Sequence, residues 1–155
     1  MIRVLVAYDT KYGNTKLVAE RIAEGMRGTD GIETAVNDIK EVDPRRTAEY
    51  DAILIGAPVH FGGPSRAITK FTDKLGELDL DKPAAVFDTY LKTDFEKGVK
   101  PMEARIGKMA PRMKLVIPGL SIQVSGMKGP ITDGEIPKCL EFGTKVASKL
   151  GTRVP

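Results

Sequence analysis

The sequence predicts a doubly wound α/β domain, with a five-stranded parallel sheet of order 2-1-3-4-5 between two layers of helices. Three observations carry this. Short runs of branched apolar residues alternate along the chain with segments of helical period. The runs are apolar at nearly every position rather than every second one, as strands buried on both faces are. The length, 155 residues, is that of one ordinary domain, so residues 1–155 are expected to form a single unit.

Each element follows in turn. Ile2-Arg3-Val4-Leu5-Val6-Ala7 is the first strand. After a polar turn, Leu17, Val18, Ile22 and Met26 recur at helical spacing, with Glu20, Arg21 and Glu24 on the other side. A weaker second strand covers Glu33 to Val36, and Glu41 to Glu49 shows no clear period. Ala52-Ile53-Leu54-Ile55-Gly56 is the third strand. Pro64 is expected to take the first position of the next helix, with Ile68, Phe71 and Leu75 on one stripe and Gly76 ending it. Pro83 precedes the fourth strand, Ala84 to Phe87. Met102, Ile106 and Met109 mark a helix bounded by Pro101 and Pro111. Leu115-Val116-Ile117 and Leu120 to Val124 are two strand pieces parted by Pro118-Gly119. The last helix starts near Asp133 or Gly134, turns Phe142, Val146 and Leu150 inward and ends at Gly151.

Composition narrows the function. One Cys and one His leave no disulfide framework and no zinc site of the Cys/His type within a chain. The 24 Lys and Arg are interleaved with 21 Asp and Glu, giving a net charge of +3. That is not the concentrated basic stripe of a nucleic-acid binder. No apolar run reaches the ~20 residues of a membrane helix. With one thiol and no export signal at the start, a cytoplasmic protein is expected.

In a doubly wound sheet, function sits at the carboxyl ends of the strands. The first strand ends in Asp9-Thr10-Lys11-Tyr12-Gly13-Asn14-Thr15 and runs straight into a helix. Such a turn aims successive N–H groups at one spot, and the helix dipole adds positive charge there, so a phosphate is favoured. The plainer reading is a helix capped by Asn14 or Thr15. No G-x-G-x-x-G or G-x-x-x-x-G-K-[ST] occurs, which disfavours dinucleotide and P-loop sites. Lys145 stands where a Cys-based phosphatase needs Arg after Cys139. The third strand ends in Gly56-Ala57-Pro58, so no acidic phosphoacceptor is present there.

That strand leads into Pro58-Val59-His60-Phe61-Gly62-Gly63-Pro64, a loop with an aromatic and two glycines that permit positive φ. The ordinary alternative is a simple strand-to-helix turn. The fourth strand leads into Asp88-Thr89-Tyr90-Leu91-Lys92-Thr93-Asp94, read as a long polar loop in which Tyr90 is either a stacking ring or a solvated side chain. Cys139 reads as a small core residue and His60 as a loop residue.

These motifs, in this order, resemble the flavodoxin family: the D-T-K-Y-G-N-T turn, Y-D-A-I-L-I-G-A-P-V-H-F with its Gly-Gly-Pro sequel, the F-D-T-Y turn and the S-G-M-K-G-P-I-T-D-G-E-I tail. The tail is similar to that of flavodoxin-domain proteins, including the flavodoxin module of A-type flavoproteins. The resemblance implies a flavodoxin-like three-layer α/β/α sandwich and a non-covalent FMN site. Thr10, Lys11, Tyr12, Gly13, Asn14 and Thr15 would hold the phosphate. Pro58, Val59, His60, Phe61, Gly62 and Gly63 would border the flavin ring on one side, and Asp88, Thr89, Tyr90 and Leu91 on the other. Tyr12 replaces the usual hydroxyl residue of the phosphate turn, and the chain has no Trp to flank the ring.

The function so implied is a low-potential electron carrier between redox-partner proteins, working without nucleic acid, membrane or metal, as a monomer or weak dimer. Lys11, Arg66 and Lys92 on the site loops imply a second reduction couple less negative than in acidic flavodoxins. Two alternatives stand beside it: a small FMN-dependent reductase of quinone or protoporphyrinogen type, and a flavin-free interaction domain of the same fold.

Overall fold

The computed structural model describes residues 1–153. Strands β1 (Ile2–Tyr8), β2 (Ile32–Asp38), β3 (Ala52–His60) and β5 (Pro83–Leu91) run parallel in the order β2-β1-β3-β5. Two short strands, β6 (Lys114–Leu115) and β7 (Leu120–Val124), both lie beside β5, pairing Ala84 with Leu115 and Phe87 with Leu120. Together they make one fifth strand, broken at Pro118-Gly119 because proline cannot donate to a ladder. The 2-1-3-4-5 order is thus observed.

Helices α1 (Asn14–Arg27) and α4 (Ile136–Arg153) cover one face, and α2 (Arg66–Glu77) and α3 (Val99–Met109) the other. Successive strand side chains point to opposite faces. Along β1, Val4, Val6 and Tyr8 therefore join Ile22, Met26, Phe142 and Val146 in one core, while Leu5 and Ala7 join Ile68, Phe71, Leu75 and Ile106 in the other. Each fully buried Leu or Ile contributes about 1.5–3 kcal/mol, so both faces hold the sheet firmly. Cys139 is buried in the first core, and burial pushes its thiol up to about 12. It is an inert packing residue.

Three expectations need correction. The segment from Glu41 to Glu49 is not featureless: short 3-10 helices span Ile39–Glu41 and Pro44–Glu49, started by the carboxylates of Asp38 and Asp43. Pro64 does not open α2. It pairs with Val59, and Gly63 with His60, in a tight antiparallel hairpin whose second strand is β4 (Gly63–Pro64). Ser65 then precedes the helix as its N-cap. Finally, Ala57 to His60 and Asp88 to Leu91 are strand, not loop: Ala57 and Pro58 pair with Asp88 and Thr89, and Asp88 to Leu91 also pair with β7. The polar side chains of Asp88 and Thr89 hid a ladder bonded on both sides.

Candidate functional site

Three strand ends meet at the carboxyl edge of the sheet. At the first, Gly13 is the N-cap of α1 and adopts φ +92, a left-handed conformation that favours glycine. Nothing lies within 4 Å of the position a Cβ would take there, so the turn is open on that side. The Thr10 hydroxyl accepts the Gly13 N–H at 2.9 Å and shapes the turn. No side chain caps α1, and its first turn carries no acid. Asn14 and Thr15 are helical residues, so neither caps α1 as the plainer reading had it. Leading N–H groups and an uncompensated dipole end are left to serve an anion. The Thr15 and Thr89 hydroxyls share a buried bond of 2.8 Å that ties the start of α1 to β5.

At the second strand end, Phe61 (φ 52) and Gly62 (φ 75) form the two-residue turn of the β3–β4 hairpin. Positive φ at both positions is the turn whose twist matches the flanking strands. Glycine takes it without strain, whereas Phe61 does not. The Phe61 ring stands in solvent.

At the third, Tyr90 meets Phe95 edge-on, with ring centroids 5.5 Å apart and planes at 73°. Partial burial, then the charge of Glu135, holds the Tyr90 hydroxyl above its ordinary pKa, so it stays protonated near neutrality. Asp88 corrects the sequence expectation. Its side chain is fully buried and turns away from this edge, toward the start of α3. Its carboxylate accepts the N–H groups of Gly98 (3.1 Å) and Val99 (2.9 Å) and the hydroxyl of Ser121 (2.6 Å). Ser121 in turn accepts the Glu96 N–H at 3.0 Å. Burial outweighs these bonds and pushes the Asp88 carboxyl up to about 6. Asp88 therefore anchors the 92–98 segment behind the site.

Between the three ends lies a cleft of about 320 Å³. Thr10, Lys11, Tyr12, Asn14 and Thr15 line one side, Pro58, Val59, His60 and Phe61 another, and Thr89, Tyr90 and Leu91 a third. Of the sequence-predicted residues, Gly13, Gly62, Gly63 and Asp88 do not line it, nor do Arg66, which opens α2, and Lys92, which lines an adjoining groove. The glycines act through their backbone at the turns instead. Sequence reading missed Asp94, Val124 and Met127 in the lining. The signal for the last two was the Ser125 to Pro130 loop after the fifth strand, another carboxyl end. This loop closes over the start of α1, since a Cβ at Gly129 would lie 2.5 Å from the Asn14 side-chain oxygen. Among the described residues, no group of His, Cys, Asp and Glu is arranged to hold a metal, and no helix is long and apolar enough to cross a membrane.

Comparison with known proteins agrees with this architecture. The chain is 38% identical to a flavodoxin of Aquifex aeolicus over 79 residues, covering 50% of this chain and 43% of that protein. It is 32% identical to an NAD(P)H dehydrogenase (quinone) of Chromohalobacter salexigens over 99 residues, covering 50% of this chain and 49% of that one. The chain thus spans about half the length of the curated relatives it matches. A solved flavodoxin from the domain Archaea superposes with a TM-score of 0.82 over 97% of this chain and 99% of its own, at 23% identity, a likeness of fold alone. The model of the flavodoxin domain matches residues 5–120, and on that match the chain belongs to the flavodoxin family.

Proposed function

We propose that this protein binds FMN non-covalently in the cleft and carries electrons at low potential between redox proteins. The observation that carries the reading is the uncapped start of α1 at Gly13, opening into the same cleft as Tyr90 and His60. The donors present fit a phosphate: N–H groups of an acid-free helix start, with Thr10, Asn14 and Thr15 beside them. Hydrogen bonds to a charged group contribute ~1.5–3 kcal/mol each, so a few hold a dianion without an arginine. Pro58, Val59, His60 and Phe61 would border one side of the ring and Thr89, Tyr90 and Leu91 the other. The contact with Phe95 fixes the Tyr90 ring for stacking.

Bound FMN supplies one- and two-electron redox chemistry. The chain sets its energetics. Asp94, the one acid in the cleft lining, is paired with Lys97 at 3.2 Å, and Lys11 lies in the same lining. Such a site stabilises added negative charge, so the second reduction couple should be less negative than in flavodoxins ringed by acids. Potentiometric titration checks this. We read the protein as one domain, cytoplasmic, and a monomer or weak dimer.

The primary test is the visible spectrum of the purified protein. A yellow protein that releases about one FMN per chain on acid treatment supports the reading. A colourless protein that ignores added FMN contradicts it and favours the flavin-free interaction domain. A second reading, a small FMN-dependent reductase, is favoured by the similarity to the quinone dehydrogenase. Steady-state quinone reduction by NAD(P)H would favour it over the carrier.

A further inference from the structure

Seven large hydrophobic side chains stand exposed among the described residues, and four of them gather at one place. Tyr12, Phe61 and Met127 line the cleft, and Phe95 rests against Tyr90 in its wall. Phe61 is fully exposed and Met127 is 70% exposed. Phe61 also sits at positive φ, a strained conformation for a residue with a Cβ, so its ring is held in water at a backbone cost as well as a solvation cost. Clustered exposed apolar groups rimmed by polar ones mark an interaction surface.

The rim here is cationic. Lys11 lines the cleft, and Lys92 lines a groove that adjoins it across Leu91, Val124 and Met127. Lys128 follows Met127 in the chain. Among the described residues, no ion pair includes Lys11, Lys92 or Lys128. The one acid lining either concavity is Asp94, which Lys97 already holds.

Resting on the electron-carrier reading, we propose that this mouth docks an acidic redox protein. Its apolar centre meets Phe61 and Met127, and its surrounding carboxylates meet the three lysines. With FMN bound, the cleft would hold the acceptor for one electron from the partner's redox centre. A second copy of this chain fits poorly, because an isologous contact would set the same lysines against one another.

The test is stopped-flow reduction of the FMN-loaded protein by a pre-reduced acidic [2Fe–2S] ferredoxin, from about 10 mM to about 500 mM salt. The rate constant is expected to fall about tenfold or more as salt screens the attraction. The Lys92→Glu/Lys128→Glu variant should abolish that dependence. Lys74→Glu/Lys108→Glu, near the far ends of α2 and α3, should leave it intact. Phe61→Asn, which tolerates the left-handed backbone, should slow transfer several-fold even at high salt. Calorimetric titration of the same ferredoxin into the cofactor-free chain reads docking without electron transfer. A chain that takes up no FMN yet binds ferredoxin with this salt dependence refutes the carrier reading and supports the surface. A ferredoxin rate that rises with salt, or ignores the lysine reversal, overturns the proposal. So does preference for anionic phosphatidylglycerol vesicles over ferredoxin.

Discussion

The groove between α2 and α3 is roomier than the cleft, about 430 Å³ against about 320 Å³, yet it offers far less chemistry. Its walls are the sides of two helices, where backbone groups are bonded within the helix. Its guanidinium, Arg105, is already held by Asp73 through bonds of 2.7 and 2.6 Å. The cleft is built from element ends instead: an uncapped helix start, a hairpin tip at positive φ and a strand end. Side faces satisfy their own polar groups, and ends do not. Volume therefore says less about function here than the number of unsatisfied ends that converge.

The sharpest way to break the comparison is to alter one end and one side face. Gly13→Val forces a β-branched residue into φ +92. FMN affinity should fall about 100-fold, about 2.7 kcal/mol, by fluorescence titration. Ala104→Leu in the α2/α3 groove should leave that affinity unchanged.

A second contrast sets two carboxylates side by side. Asp88→Ala orphans the Gly98 and Val99 N–H groups and the Ser121 hydroxyl, so denaturant unfolding should show a loss of about 2–3 kcal/mol. Asp73→Ala removes a pair that is partly exposed on both sides and should cost below ~1 kcal/mol.

Asp88 also sharpens the contrast through pH. Its folded pKa, about 6, lies above its ordinary 3.8, so the folded state binds more protons between those values. Its contribution is most favourable below about pH 4 and is lost as pH rises through about 6, a change on the order of 3 kcal/mol. Asp88→Asn should flatten that part of the stability profile, whereas Asp73→Asn should not. The smallest effect expected is at Cys139, which should not react with a thiol reagent until the protein unfolds.

These contrasts also show what the sequence made legible. A parallel sheet between two helix layers followed from the apolar runs, because Val4-Leu5-Val6 and Ile53-Leu54-Ile55 must be covered on both faces and alternate with helical segments. The broken fifth strand was readable from Pro118-Gly119. The Asp9 to Thr15 turn stood out because it links the first buried strand directly to a helix. Asp88 was misread because a carboxylate at a strand end looks like a loop residue until its partners are known, and Gly98, Val99 and Ser121 lie 10 to 33 positions away. The hairpin was missed because Phe61 is a poor candidate for positive φ. Val124 and Met127 were missed because the carboxyl end of the fifth strand, Leu120–Val124, was not counted with the other strand ends that build the cleft.

The measurement that bears most directly on the account compares FMN with riboflavin, which lacks the phosphate, in calorimetric titrations of the cofactor-free protein. If the start of α1 grips a phosphate, FMN should bind at least about 100-fold more tightly, given ~1.5–3 kcal/mol for each charge-assisted hydrogen bond. Equal affinities for the two would mean that this turn is an ordinary helix start, contradicting the central claim.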